Sequence, residues 1–122
     1  MLARVYRGIN YAIEAAKGSD CPTYLVGAAI MKGNNLVACG SNSYRKTSPH
    51  TTNPTRKLHA EFRVGNQLNL KGLSIYVARI RTNSTIGMAR PCPDCERFLI
   101  NGGIREIWYT GISGLPECLE NP

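Results

Sequence analysis

No stretch of this sequence is both apolar and long enough to span a bilayer, which takes roughly 20 residues. The amino end, Met1-Leu2-Ala3-Arg4-Val5-Tyr6-Arg7, meets charges before a signal-like apolar segment can form. A soluble, cytoplasmic protein with no membrane partner is therefore expected. Aromatic residues are scarce, at 7% of the chain, which argues against a broad stacking platform for single-stranded nucleic acid. Acidic residues are outnumbered: 8 Asp plus Glu face 15 Lys plus Arg, a formal charge of +7 that favours anionic partners at long range. The five cysteines are odd in number and unevenly placed, at Cys21, Cys39, Cys92, Cys95 and Cys118. A fully paired disulfide framework is thereby excluded, and the close pair Cys92 and Cys95 reads first as a metal or redox site.

What the chain does contain is enough to fold. At 122 residues, with 43% apolar and 19% charged, it has material for one core and no room for two, so residues 1–122 are read as a single domain. Leu2, Val5, Tyr6, Ile9, Ala12, Ile13 and Ala16 recur at helical spacing before Gly18, predicting a first amphipathic helix over 2–17. An apolar run over 24–31, the turn Lys32-Gly33-Asn34-Asn35 and a second run over 36–39 predict a hairpin of two buried strands. Residues 40–55, rich in Ser, Thr, Asn and Pro, read as a long loop. A helix over 56–70, a strand over 73–80, a polar loop over 81–91, a helix over 93–100 and a strand over 104–110 follow. Gly and Pro in the tail, 111–122, argue against another long element. The order is that of an α/β fold with helices on the faces of a mixed central sheet.

Two short motifs carry the chemistry: His59-Ala60-Glu61 and Pro91-Cys92-Pro93-Asp94-Cys95, each at the start of a predicted helix. Two thiolates and one imidazole form a tetrahedral zinc shell with the fourth position left for water, whose pKa then falls towards neutrality. The positive end of a helix helps to hold cysteines as thiolates. Glu61, two residues beyond the imidazole, can lie beside that water without ligating the metal and move its protons. His59, Cys92 and Cys95 are thus the candidate Zn²⁺ ligands and Glu61 the candidate catalytic residue. Each motif alone is weak, since a lone Cys-x-x-Cys is often redox or structural. Together, in this order, they form the pattern of zinc deaminases that act on cytosine or adenine.

With these residues the chain resembles the cytidine and deoxycytidylate deaminase family, and the resemblance runs from Val26-Gly27-Ala28-Ala29-Ile30 through Gly40-Ser41-Asn42 to both motifs. It implies a three-layer cytidine-deaminase-like fold with both zinc-binding helices on one side of the sheet, and a homo-oligomer. It also implies that Asn42, which follows a Gly-x pair at the end of the second strand, touches the substrate, with Ala60 beside it. A histidine at position 59 is similar to the nucleotide and nucleic-acid branches, because free-nucleoside enzymes usually present cysteine there. Hydrolysis of a cytosine nucleotide, CMP or dCMP, to its uracil counterpart is the expected reaction.

Arg90, immediately before the zinc cysteines, is a candidate for the substrate's phosphate, and Tyr44 for stacking on its base. Arg45, Lys46, Arg56 and Lys57 make the preceding loop basic, which is equally the composition of a solvated loop. Cys21, Cys39 and Cys118 read as small buried hydrophobes. Two alternatives remain. One is a deaminase of single-stranded DNA or RNA, which the charge favours. The other is a non-catalytic nucleic-acid-binding module whose structural zinc is closed by a fourth ligand such as His50 or Cys118.

Overall fold

The computed structural model describes residues 2–20, 25–43, 59–66, 68–81, 83 and 85–119. Helix α1 (Leu2–Ala16) leads to strands β1 (Leu25–Lys32) and β2 (Asn35–Ser41). Helix α2 (Ala60–Gly65), strands β3 (Ser74–Ile80) and β4 (Ile86–Gly87), helix α3 (Pro93–Asn101) and strands β5 (Glu106–Thr110) and β6 (Pro116–Leu119) follow. The sheet runs β2-β1-β3-β5-β6, with β4 pairing to β3 off that path. All pairings are antiparallel except β3 with β5. No helix among the described residues is long and apolar enough to cross a membrane.

The two-residue period of β1 and β3 sorts their side chains into two cores. Ala29, Met31, Tyr76 and Ala78 meet Val5, Ile9 and Ala12 of α1. Ala28, Ile30, Ile75 and Val77 face the other way, against Ala60 and Val64 of α2 and Leu99 of α3. Helix, sheet and helices therefore form three layers, with α2 and α3 on one side, as the resemblance implied. Fully buried Tyr76, Ile30 and Leu99 are each worth about 1.5–3 kcal/mol of apolar transfer. The first layer sits close because of glycine: a Cβ on Gly27 would lie 1.9 Å from the Ala12 carbonyl oxygen and 2.5 Å from the Ala16 nitrogen.

Several sequence expectations need correction. Strand β2 is an edge strand and largely exposed, with only Ala38 reaching the core, so the hairpin has one buried strand rather than two. Cys39 and Cys118 are accordingly exposed thiols, not buried hydrophobes, while Cys21 lies outside the described residues. Tyr6 is 46% exposed because α1 turns its Val5–Ile9–Ala12–Ala16 stripe to the sheet. The second helix is far shorter than 56–70: it ends at Gly65, where a Cβ would press 3.2 Å from the Phe98 ring of α3. The polar loop 81–91 contains β4; the tail, as expected, holds no long element, only the four-residue edge strand β6.

Candidate functional site

Parallel pairing of β3 with β5 stops at Val77, so the last residues of β3 have an edge free of β5. Strand β4 takes that edge, Arg79 opposite Gly87 and Ile80 opposite Ile86. Thr110, fully buried at the end of β5, ties the corner together. Its hydroxyl donates to the Gly87 carbonyl at 2.6 Å and accepts from the Arg79 amide at 3.4 Å, while its carbonyl takes the Ala89 amide at 2.8 Å. The chain from Gly87 to Cys92 is thereby led across the end of the sheet to the start of α3.

Pro93 opens α3 with its fixed φ, at a position where no amide is required. Cys92 is the N-cap, its sulfur accepting from the Cys95 amide at 3.5 Å. Both cysteines thus stand at the positive end of the helix. His59 stands just before α2, its carbonyl accepting the Arg63 amide at 3.0 Å. That capping position, rather than a place within the helix, aims the imidazole at α3.

His59 Nδ1 lies 3.5 Å from Cys92 Sγ and 3.3 Å from Cys95 Sγ, and all three ligand atoms fall within 4.8 Å of one another. Zinc bonds of about 2.3 Å to sulfur and 2.0–2.1 Å to nitrogen in a tetrahedron put sulfur and nitrogen about 3.5 Å apart, so the donor set fits zinc in chemistry and in spacing. Among the described residues the group has three members, and Cys118 is not one of them. His50 lies outside the described residues.

A cavity of about 240 Å³ opens beside the donors, walled by His59, Ala60, Glu61 and Cys92, by Val26 and Asn42, and by Arg79, Met88, Ala89 and Arg90. It is smaller than the roughly 300–1,000 Å³ typical of drug-sized ligands and suits one small ring compound. Glu61 is buried in the wall, 4% exposed. Burial pushes its carboxyl above the ordinary carboxylate range, against the opposing pull of its own backbone amide and the Cys95 thiol. Asn42 is fixed by β1 and by Ser19: its Oδ1 accepts from the Val26 amide at 3.0 Å and from the Ser19 hydroxyl at 2.6 Å, and its backbone N–H donates to the Val26 carbonyl at 2.9 Å.

Of the residues singled out from sequence, His59, Cys92, Glu61, Asn42, Ala60 and Arg90 all line this cavity, with Cys95 completing the donor set behind it. Arg90 is at the rim, its side chain 54% exposed and 4.0 Å from Glu96. Tyr44, Arg45, Lys46, Arg56 and Lys57 lie outside the described residues. Sequence reasoning passed over Arg79, absorbed into a strand, and the apolar lining Val26 and Met88. The missed signal was the alternation Ile75, Val77, Arg79, which sets a cation on an inward row.

Residues 5–110 match the family model described as the cytidine and deoxycytidylate deaminase zinc-binding region. No curated protein matches the chain significantly in sequence. Among solved structures, the dCMP deaminase of cyanophage S-TIM5 in its apo form aligns with a TM-score of 0.69 at 22% identity, covering 93% of this chain and 86% of that one. A cytidine deaminase from Burkholderia pseudomallei gives 0.69 at 19% identity, covering 94% and 91%. The S-TIM5 enzyme in complex with dCMP and dUMP gives 0.56 at 18% identity, covering 91% and 80%. At these identities the likeness is one of fold.

Proposed function

The chain belongs to the cytidine and deoxycytidylate deaminase family, hydrolytic enzymes that use zinc, and from that premise we propose that it converts a cytosine nucleotide, CMP or dCMP, to the uracil nucleotide and ammonia. The observation that carries this reading is the meeting of a metal-fit donor set, a buried carboxylate and two guanidiniums around one small cavity. The S-TIM5 enzyme, similar in fold, was solved with dCMP and dUMP, and a cytidine deaminase is equally similar in fold, so the choice of a nucleotide rests on His59 and on the cavity's guanidiniums.

When bound, zinc supplies a water that ionises near neutral pH. His59, Cys92 and Cys95 would hold the metal. Glu61 would carry one proton to the ring nitrogen and a second to the departing amine. A carbon–oxygen bond forms at the amino-bearing carbon, the carbon–nitrogen bond to the amine breaks, and both protons of the water are accounted for. Asn42 and Ala60 bound the space for the base, and Arg90 stands at the rim towards the sugar phosphate.

The test is ammonia release by zinc-loaded protein from CMP, dCMP, cytidine, deoxycytidine and a cytosine-bearing oligonucleotide. Nucleotides are expected to lead. Nucleoside turnover equal to or above that of the nucleotides refutes the substrate assignment. Glu61→Gln should retain zinc and lose at least 10²–10⁴ in turnover, the usual worth of a positioned proton carrier at about this level. A wild-type rate in that variant removes Glu61 from the reaction.

A further inference from the structure

We propose that Arg79 is the residue that reads the substrate's phosphate, a role that rests on the nucleotide reading above and names the group that enforces it. Along β3 the side chains at Ile75 and Val77 close the core against α2 and α3. Arg79 is the next position on that face, and there the core gives way to the cavity holding Glu61, His59 and Cys92. The guanidinium of Arg79 thus borders the cavity at the point where the apolar row ends.

Its delivery is rigid. Arg79 is paired to Val26 of β1 on one side and to Gly87 of β4 on the other, and its amide meets the Thr110 hydroxyl. Gly87 leaves passage for the arginine stems: a Cβ there would stand 3.4 Å from Arg79 Cδ and 3.3 Å from Arg81 Cγ. The guanidinium is thus presented from three joined strands, where its geometry is held better than on a loop. Its Nε is buried, so the guanidinium as a whole is less screened than that of Arg90, whose side chain is more than half exposed and shares Glu96.

The charge count of the described lining points the same way. Two guanidiniums face one carboxylate, Glu61. Arg90 is offset by Glu96 outside the cavity, which leaves Arg79 as the cation set deepest in this lining. A phosphate monoester brings about −1.5 to −2 at pH 7, and the planar fork of arginine matches two of its oxygens at once. The shared chemistry is a phosphate attached to a cytosine nucleoside, whether as a free mononucleotide or within a strand.

The experiment is equilibrium binding of the products dUMP and deoxyuridine, and of a short uracil-bearing oligodeoxynucleotide, to zinc-loaded wild type, Arg79→Gln and Arg79→Lys. Zinc content and thermal midpoint are recorded for each. Wild type is expected to prefer dUMP over deoxyuridine, and Arg79→Gln should cut that ratio roughly 10- to 100-fold, the worth of a charge-assisted hydrogen bond. Arg79→Lys, which keeps the charge without the fork, should fall between. Arg79→Met, with an apolar stem, serves if the Gln variant does not load zinc. The proposal is overturned if wild type binds the two equally, if the ratio survives in the variants, or if both affinities fall by one factor, as a merely structural role requires. A preference for the oligonucleotide that Arg79→Gln abolishes upholds the phosphate contact and assigns it to a strand. A dUMP preference lost in Arg79→Gln, in a protein that does not turn over dCMP, upholds Arg79 and overturns the proposed reaction alone.

Discussion

Replacing Thr110 by valine removes one hydroxyl and keeps the shape of the side chain. In the native protein that hydroxyl, fully buried, donates to the Gly87 carbonyl at 2.6 Å and receives the Arg79 amide at a longer 3.4 Å. The short bond dominates. Its loss leaves a buried carbonyl short of a donor, which costs about 1–3 kcal/mol. The extra methyl returns up to about 0.8 kcal/mol by the transfer scale, so the net loss should be about 0.2–3 kcal/mol. For 122 residues a loss of 1 kcal/mol lowers the thermal midpoint by about 3–6 °C. Stability alone cannot identify the hydroxyl, because Thr110→Ser also loses about 0.5–1.5 kcal/mol by deleting a buried methyl. The site distinguishes them. Thr110 holds β4, and β4 leads into Met88 and Ala89, which wall the cavity. In Thr110→Val the amides of β4 should exchange faster and KM should rise, whereas Thr110→Ser should keep both near wild type. Equal exchange and equal KM in the two variants would refute the claim that the hydroxyl anchors this wall.

Gly27→Ala should cost about 1–3 kcal/mol or more, because the new Cβ meets backbone atoms of α1 that cannot swing aside. Gly33→Ala, at φ +61 with nothing within 4 Å, should cost about 1–2 kcal/mol from the backbone alone; urea unfolding compares the two, and a Gly27→Ala as mild as Gly33→Ala contradicts the close layer contact. Glu106 is held below the ordinary carboxylate range chiefly by the hydrogen bond from Arg4, 2.9 Å away. Because the folded value is the lower one, this pair contributes stability that is complete above the unfolded pKa of about 4.3 and disappears as pH falls through the folded value. Glu106→Gln should therefore flatten the acid limb of the stability profile below about pH 4.3, and parallel profiles would deny the pair any part. Cys95→Ser should reduce bound zinc from one ion per chain to almost none, measured by elemental analysis. A chelator should lower the wild-type midpoint, since a ligand at 100 times its Kd contributes about 2.7 kcal/mol, and leave Cys95→Ser unmoved.

The layers were legible because their signals are local. Val5, Ile9, Ala12 and Ala16 repeat at helical spacing, and the apolar runs of β1 and β3 suit strands buried on both faces. The status of β2 was not legible. Leu36-Val37-Ala38-Cys39 looks as apolar as its partner, and only the strand order, with β1 between β2 and the rest of the sheet, makes it an edge with Val37 and Cys39 outward. The end of α2 was hidden for a similar reason. Apolar residues continue to Leu70, but the close approach of Phe98 to Gly65 is a tertiary fact, and Leu70 instead packs under Gly102.

The site divides along the same line between local and distant information. His59, Glu61, Cys92 and Cys95 were found because metal and proton chemistry restrict which residue types can serve, and short spacings on helix starts restrict where they stand. Arg79 belongs to no such motif. Its place depends on β4, two residues in a segment read as loop, and on a threonine hydroxyl thirty-one positions away in sequence. Yet half of the signal lay in β3 itself. A strand of alternating period whose inward row reads Ile75, Val77, Arg79 carries a cation on its core-facing side at the strand end. The sheet shows that the row runs into the metal-side cavity. A charged residue that ends an apolar row at a cavity is thus worth testing for a role there, and the nucleotide-to-nucleoside ratio in Arg79→Gln is where that reasoning is exposed to failure.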